Sequence, residues 1–321
     1  MIKNKIKKPF SLRRAFFILN NKTNKMYYNE NTTVFLNGKW LKASEAQTDL
    51  YAQTLHYGNG VFEGIRSYDT EDGVRVFKAK EHFERLIYSA EKMHINLKYT
   101  AQEMTDITYQ LLKKNNLKDA YIRPLIYLGA NMSLQPTNEV NVFFCAWELG
   151  KYLGDSLLNI MTSSYQRPNP KSCHVEAKVV GHYTNSILAT SEAKQKGFDE
   201  ALLLDMNGNV AEGPGANFFY EKDGKLFTCP LGNILPGITR STVLELAKEL
   251  KFEVEEKYFT PEDVKGADGA FFTGTAAEVA GIGALDGVEF KMDWEDTMGA
   301  TLARMYRNRV SSRELQNFDL V

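Results

Sequence analysis

Residues 200–228 read EALLLDMNGNVAEGPGANFFYEKDGKLFT, and this stretch decides the fold class. Ala201–Leu204 is an apolar run and Asn207-Gly208 a turn signal. Asn217–Tyr220 is a second run, Asp223-Gly224 a second turn, and Leu226–Thr228 a third strand. Short β-prone runs separated by Asn-Gly and Asp-Gly predict an antiparallel meander of three strands.

Working outward, a strand is expected at 158–164, a Pro-rich stretch at Arg167-Pro168-Asn169-Pro170, and a helix near 181–196 ending at Gly197. Downstream, a helix over 240–250 follows Leu235-Pro236-Gly237-Ile238-Thr239, and a strand at 269–273 ends in Gly274-Thr275. The N-terminal half mixes the same elements. It offers a hairpin about Asn37-Gly38, strands at 60–68 and 74–78, and helices at 81–94 and 101–115. Strands at 120–128 and 139–147 complete it. Helices grouped among antiparallel strands give an α+β class. The expected division is a basic extension at 1–26, a small domain at 27–148, a linker at 149–157 and a larger domain at 158–321.

Composition narrows the field without naming a function. The chain has 321 residues, 43% apolar and 25% charged, with a formal charge of −1. Nothing global points to nucleic acid or membrane. The charge is uneven, because residues 1–26 carry eight basic residues and no acid, and the remainder is acidic. A plain extension from an upstream start, a transit peptide and a functional basic arm all fit that pattern. No run approaches the roughly 20 apolar residues of a membrane helix. Cys145, Cys173 and Cys229 are scattered and odd in number, which suggests a reducing, cytoplasmic setting. The five histidines show no metal-ligand spacing, so no metal is expected.

Several residues have chemical potential, each with a plainer alternative. Lys178 sits in Val175-Glu176-Ala177-Lys178-Val179-Val180. Burial there would favour the neutral amine that a Schiff base requires, although its stem could simply pack with the amine in water. Glu212 lies between small residues and reads, alone, as a solvated loop acid. Arg85 falls away from Leu86 and Ile87, with Glu81 one turn back, and reads alone as half of a surface ion pair. Arg123, centred in an apolar strand, needs either a structural partner or a ligand. Pro236-Gly237-Ile238-Thr239 opens a helix whose free N–H groups suit an anion. Gly274-Thr275-Ala276-Ala277 reads as a helix cap by default.

Taken in order, these stretches resemble the branched-chain amino acid aminotransferases of the class IV, pyridoxal-5'-phosphate (PLP) family. The stretches are His56-Tyr57-Gly58, Val61-Phe62-Glu63-Gly64-Ile65-Arg66, Glu81-His82-Phe83-Glu84-Arg85-Leu86 and Ala120-Tyr121-Ile122-Arg123-Pro124-Leu125. Ala177-Lys178, Glu212-Gly213, Leu235-Pro236-Gly237-Ile238-Thr239-Arg240 and Gly274-Thr275-Ala276-Ala277-Glu278 follow in register. The resemblance covers residues 33 to about 310. It implies the two-domain D-amino acid aminotransferase-like fold, with a small N-terminal α/β domain and a larger domain holding a pseudo-barrel of mainly antiparallel strands.

The resemblance also implies roles. Lys178 would bind PLP covalently and carry the catalytic proton. Glu212 would face the pyridine nitrogen and Tyr183 the phenolic oxygen. Arg85, the N–H groups of Ile238 and Thr239, and Thr275 would hold the phosphate. Tyr121, Thr275 and Ala276 would take the substrate α-carboxylate. Phe62, Tyr57, Tyr152, Tyr183 and Trp147 would wall an aliphatic side chain, and Arg123 would hold the distal carboxylate of glutamate with help from Tyr57. Met132 and Leu134 would reach a neighbouring subunit, making a homodimer or larger homo-oligomer. The implied reaction exchanges amino groups between Leu, Ile or Val and 2-oxoglutarate. D-amino acid aminotransferase and aminodeoxychorismate lyase share the fold, and Tyr121-Ile122-Arg123-Pro124 disfavours both. The spacing of 130–138, His182 and the extension before Met26 depart from the family pattern.

Overall fold

The computed structural model describes residues 27–150, 153 and 156–311. The extension at 1–26 and Tyr152 lie outside them.

The N-terminal half is one antiparallel sheet backed by two helices. Its elements are β1 (Thr33–Leu36), β2 (Lys39–Lys42), α1 (Gln53–Tyr57), β3 (Val61–Phe62), β4 (Ile65–Thr70), β5 (Gly73–Val76), α2 (Ala79–Lys92), α3 (Ala101–Asn115), β6 (Ala120–Leu128) and β7 (Val140–Glu148). The strand order is β2-β1-β7-β6-β4-β5, with β3 also on β6. Asn37 and Gly38 both take positive φ, as a two-residue hairpin turn requires. Thr100 and Glu103 form a capping box at the start of α3. Phe83, Leu86 and Ala90 of α2 join Met104, Ile107 and Leu111 of α3 in a core against Ile65, Ile122 and Phe144.

One proline shapes the site. Pro124 lies mid-strand in β6, and its carbonyl accepts from the Glu63 N–H at 3.0 Å. A residue's N–H and C=O point the same way in a strand, so the missing donor faces Glu63. The ladder therefore breaks there. The single strand expected over 60–68 becomes β3 and β4, with Glu63-Gly64 between them.

The C-terminal half is built on a closed barrel. Its elements are β8 (Leu158–Gln166), α4 (Tyr183–Gln195), β9 (Glu200–Leu204), β10 (Val210–Glu212), β11 (Asn217–Lys222), β12 (Lys225–Thr228), α5 (Ile238–Glu249), β13 (Glu253–Glu256), α6 (Pro261–Val264), β14 (Gly269–Gly274), β15 (Glu278–Leu285), β16 (Val288–Glu289) and α7 (Met298–Ser311). Strands β10-β9-β8-β15-β14-β11 close through the β10–β11 pairing, and β12 and β13 continue the sheet outside the ring. Closure removes exposed edges. The β8 pairings with β9 and β15 are parallel, and the other pairings around the ring are antiparallel.

The meander gains a member relative to the sequence reading. Three-residue β10 intervenes, so 201–204 pairs with 210–212 and not with 217–220. The turn at 274–277 is another correction: it joins β14 to β15 and caps no helix.

The segment carrying Lys178 is fastened to the N-terminal half. Phe62 N–H donates to the Lys178 carbonyl at 3.1 Å, and Val180 and Gly181 N–H donate to Gly60 and Gly58 carbonyls. Ala177 and Val179 pack in the N-terminal core. Lys178 thus sits at the seam between the two halves.

Candidate active site

A cavity of about 1660 Å³ opens along that seam. Five cationic side chains line it, Arg85, Lys114, Arg123, Arg167 and Lys178, against the carboxylates of Glu148 and Glu212. An excess of cations in a partly enclosed space suits an anionic guest.

Lys178 projects its amine into this cavity. Nζ donates to the Tyr183 hydroxyl at 2.5 Å and lies 4.9 Å from the Phe62 ring centre. Its backbone N–H is held by Ser89 Oγ at 3.0 Å. Tyr183 opens α4 and meets Phe62 edge-on at 4.7 Å between ring centres.

Glu212 is buried, contrary to the solvated loop acid read from its neighbours alone. It ends β10 opposite Asn217, whose Nδ2 donates to its carboxylate at 2.9 Å and to the Leu235 carbonyl at 2.9 Å. Arg167 Nε lies 2.9 Å from Glu212 Oε1. Burial pushes the carboxyl above its ordinary range, while Arg167 and the Leu235 N–H pull it back. Arg167 and Asn217 escaped the sequence reading. The Arg167-Pro168 stretch gave only a loop signal, and Asn217 meets Glu212 across the β10–β11 pairing, a strand pair the sequence did not disclose.

Arg85 is likewise corrected. It pairs with Glu63 and not with Glu81, through Nε at 2.6 Å and Nη2 at 2.9 Å, and Nη1 donates to the Pro236 carbonyl at 2.9 Å. Helix α2 has two covered faces: Phe83 and Leu86 meet the sheet, while His82, Arg85 and Ser89 face the seam. Glu63 is fully buried and takes His82 Nδ1 at 2.8 Å. The carboxylate can only accept, so His82 donates from Nδ1. Burial raises Glu63, but Arg85 and His82 outweigh it and hold the carboxyl far below the usual range.

Beside Arg85 lies the start of α5. Gly237 supplies no side-chain cap, which leaves the N–H groups of Ile238 and Thr239 open at a helix N-terminus. A Cβ at Gly237 would stand 2.0 Å from Asn217 Oδ1, so a larger residue there would displace the Asn217 amide from Glu212. Thr275 and Ala276, on the β14–β15 turn, line the same end of the cavity. Arg66, also missed, steadies that turn through the Ala276 carbonyl at 3.4 Å and Glu278 at 3.5 Å.

Arg123 stands differently. Its guanidinium lies over Phe62, Tyr121 and Trp147 at 4.7, 5.4 and 5.9 Å from their ring centres. It donates to the Tyr121 hydroxyl at 3.4 Å, and its buried Nε has no partner among the described residues. Among the same residues no carboxylate pairs with it. Tyr57, Met132 and Leu134 do not line this cavity. They lie on an exposed face, where the Tyr57 hydroxyl donates to the Met132 carbonyl at 3.2 Å. His182 does line it, with a buried, unpartnered Nδ1.

These residues fit PLP by their donor chemistry. Open N–H groups and Arg85 suit its phosphate, Glu212 a ring nitrogen, Tyr183 a phenolic oxygen, and Lys178 an aldehyde carbon. No group of three or more His, Cys, Asp or Glu residues able to hold a metal occurs among the described residues.

Comparison with known proteins gives the same class. Residues 60–285 match the family model of the class IV amino-transferases. The chain is 40% identical to the branched-chain-amino-acid aminotransferase of Pseudomonas aeruginosa over 286 residues, 87% of this chain and 93% of that one. The Thermoproteus uzoniensis branched-chain aminotransferase, solved with norvaline, superposes with a TM-score of 0.84 at 37% identity, covering 87% of this chain and 94% of that one. The Thermobaculum terrenum branched-chain amino acid aminotransferase, solved in its PLP form, superposes with a TM-score of 0.82 at 33% identity, covering 88% of this chain and 95% of that one. The fold is that of a PLP-dependent class IV aminotransferase. Within that class, the chain belongs to the branched-chain-amino-acid aminotransferase family. Its cofactor is pyridoxal 5'-phosphate.

Proposed function

We propose that the chain moves the amino group of leucine, isoleucine or valine onto 2-oxoglutarate, giving the branched-chain 2-oxo acid and L-glutamate. The observation that carries this reading is Arg123: a cation without a carboxylate partner among the described residues, set among aromatic rings in the cavity that holds Lys178. Phe62, Tyr121, Tyr183 and Trp147 shelter an aliphatic side chain, and Arg123 supplies the charge that the glutamate side chain needs.

PLP supplies an electron sink for a carbanion at the substrate Cα. Lys178 would hold it covalently in the resting enzyme, and its amine, set free when the substrate amine takes its place on the cofactor, would take and return the Cα proton. The Tyr183 hydroxyl orients that amine. Glu212, fixed by Asn217 and Arg167, holds a proton at the pyridine nitrogen. Arg85, Ile238, Thr239 and Thr275 bind the phosphate, and Tyr121, Thr275 and Ala276 bind the α-carboxylate. One cavity serves both substrates, so the first 2-oxo acid leaves before 2-oxoglutarate enters, in ping-pong order.

The working unit is a homodimer or larger. Leu50, Tyr51, Leu55, Tyr57, Met132 and Leu134 are all exposed around α1 and the β6–β7 loop, a patch that a second copy would cover. A cytoplasmic location agrees with three free cysteines.

The test is direct. Holoenzyme assayed with leucine and 2-oxoglutarate should give parallel double-reciprocal lines, and borohydride should fix the cofactor on Lys178. Lys178→Ala should lose about 10²–10⁴-fold in kcat, as expected for removal of a general acid–base group. Label on another lysine, or turnover of D-amino acids in place of L, would overturn the reading.

A further inference from the structure

The Glu63 carboxylate presents a puzzle. It is an anion at full burial, and the guanidinium paired with it, Arg85, lines the part of the cavity assigned to the cofactor phosphate. On charge alone it would weaken phosphate binding, because it offsets the Arg85 guanidinium. Four contacts nevertheless converge on it: Arg85 Nε at 2.6 Å, Arg85 Nη2 at 2.9 Å, His82 Nδ1 at 2.8 Å and its neighbour's Gly64 N–H at 3.1 Å.

We infer that Glu63 is the positioning residue of the phosphate cup, which sets the angle of Arg85 and thereby fastens the N-terminal half to the Pro236 loop. The inference rests on the assignment of Arg85 to the phosphate. Three of the five guanidinium N–H donors are consumed, two by Glu63 and one by the Pro236 carbonyl, leaving two for the cavity. Pro236 immediately precedes Gly237 and the open N–H groups of Ile238 and Thr239. Arg85 therefore ties a residue of the β3–β4 break to the start of α5. The break itself follows from Pro124, which offers the Glu63 carbonyl no ladder donor while still accepting from the Glu63 N–H. His82 keeps the carboxylate from turning toward other partners, and Ser89, one turn after Arg85, joins the Arg85 carbonyl to the Lys178 N–H at 2.8 and 3.0 Å. Phosphate grip and the Lys178 backbone thus share one helix face.

Charge and position predict opposite signs, which makes a test. Glu63→Gln removes an anion beside the phosphate. If charge governed, apoenzyme would bind PLP more tightly. If position governs, the dissociation constant for PLP should rise about 10- to 100-fold, the worth of hydrogen bonds to a charged group. That for pyridoxal, which has no phosphate, should stay within about twofold on the same scale. Binding is read from cofactor absorbance, and the stabilisation of apoenzyme by inorganic phosphate gives a second measure. Unchanged or tighter PLP binding in Glu63→Gln overturns the inference. Arg85→Ala serves as the reference. If it weakens PLP and pyridoxal equally, the assignment of Arg85 to the phosphate fails, whatever Glu63 does. Should Glu63→Gln not fold, Glu63→Asp keeps the charge and draws it back one methylene. A phosphate-selective loss there supports positioning, and wild-type affinity overturns it.

Discussion

The two ends of the seam cavity are built on opposite plans. In the part assigned to the cofactor the charges are paired: Arg85 with Glu63, and Glu212 with Arg167, Asn217 and the Leu235 N–H. In the part assigned to the substrate, Arg123 has no carboxylate partner among the described residues and mainly aromatic faces for company. The proposed reaction accounts for the difference. Its cofactor brings the same phosphate and ring nitrogen in every cycle, so the receptors can be fixed in advance. On that reading the side-chain pocket takes an aliphatic group and then a carboxylate. A fixed counter-ion for Arg123 would serve neither, whereas rings tolerate both an alkyl chain and a cation.

Breaking the paired end should cost most. Glu212→Gln takes away the carboxylate beside Arg167, but burial already disfavours that charge in the folded chain, so denaturant unfolding of the apoenzyme should change little and the cost should fall on turnover. Turnover of the holoenzyme should fall with every substrate alike, because the ring nitrogen is common to both half-reactions. A loss confined to one substrate would place Glu212 in the side-chain pocket and contradict the plan.

The unpaired end should respond selectively. Arg123→Ala is expected to lower kcat/KM for glutamate by roughly 10²-fold, within the range for a buried charge partner, and for leucine by less than about tenfold. Equal losses would mean that Arg123 organises the aromatic wall and does not read the carboxylate.

Legibility divides along the same line. Features that depend on neighbours in sequence could be read: the Asn37-Gly38 and Asp223-Gly224 turns, α3 with its Thr100–Glu103 box, and β6 over 120–128. Very short elements and long-range contacts could not. Strand β10 is three residues long, too short to show a period, and is defined by its pairing with β9 and β11. Strand β15 contains Gly281 and Gly283, which look like breakers. A Cβ at Gly281 would meet Leu157 and Trp294 at 2.8 Å, so the glycine is there for packing. The residues assigned by family resemblance, Lys178, Tyr183, Glu212, Arg85, Arg123, Ile238, Thr239 and Thr275, do line one cavity. Their supports passed unread for two reasons: Glu63, Arg66 and Arg167 act through partners distant in sequence, and Asn217 acts across the β10–β11 turn, where β10 is too short to be read.

A milder probe of the paired end uses acid. The folded Glu63 carboxyl lies below its ordinary value of 4.5, so its stabilising contribution is complete above about pH 4.5 and fades as pH falls below it. The stability gap between wild type and Glu63→Gln, measured by denaturant unfolding of apoenzyme, should therefore be widest near neutrality and narrow steadily below about pH 4.5. A gap that widens in acid would mean that Glu63 is protonated in the folded protein and that Arg85 is aimed by something else.

The smallest expected effect sharpens the comparison from outside the cavity. Tyr57 is half-exposed, its hydroxyl donates to the Met132 carbonyl at 3.2 Å, and neither residue lines the cavity of its own chain. In a lone protomer Tyr57→Phe removes one exposed hydrogen bond, worth about 0.5–1 kcal/mol at most. If the face around Leu55 and Leu134 is where a second copy docks, Tyr57 completes the partner's unpaired end, and the same substitution raises the KM for glutamate while that for leucine holds. The two outcomes separate in one pair of measurements. A change in glutamate KM that persists at dilutions where sedimentation shows only monomer would place Tyr57 in its own chain's site. A change that vanishes with the dimer would show that the substrate end, unlike the cofactor end, is finished by the neighbour.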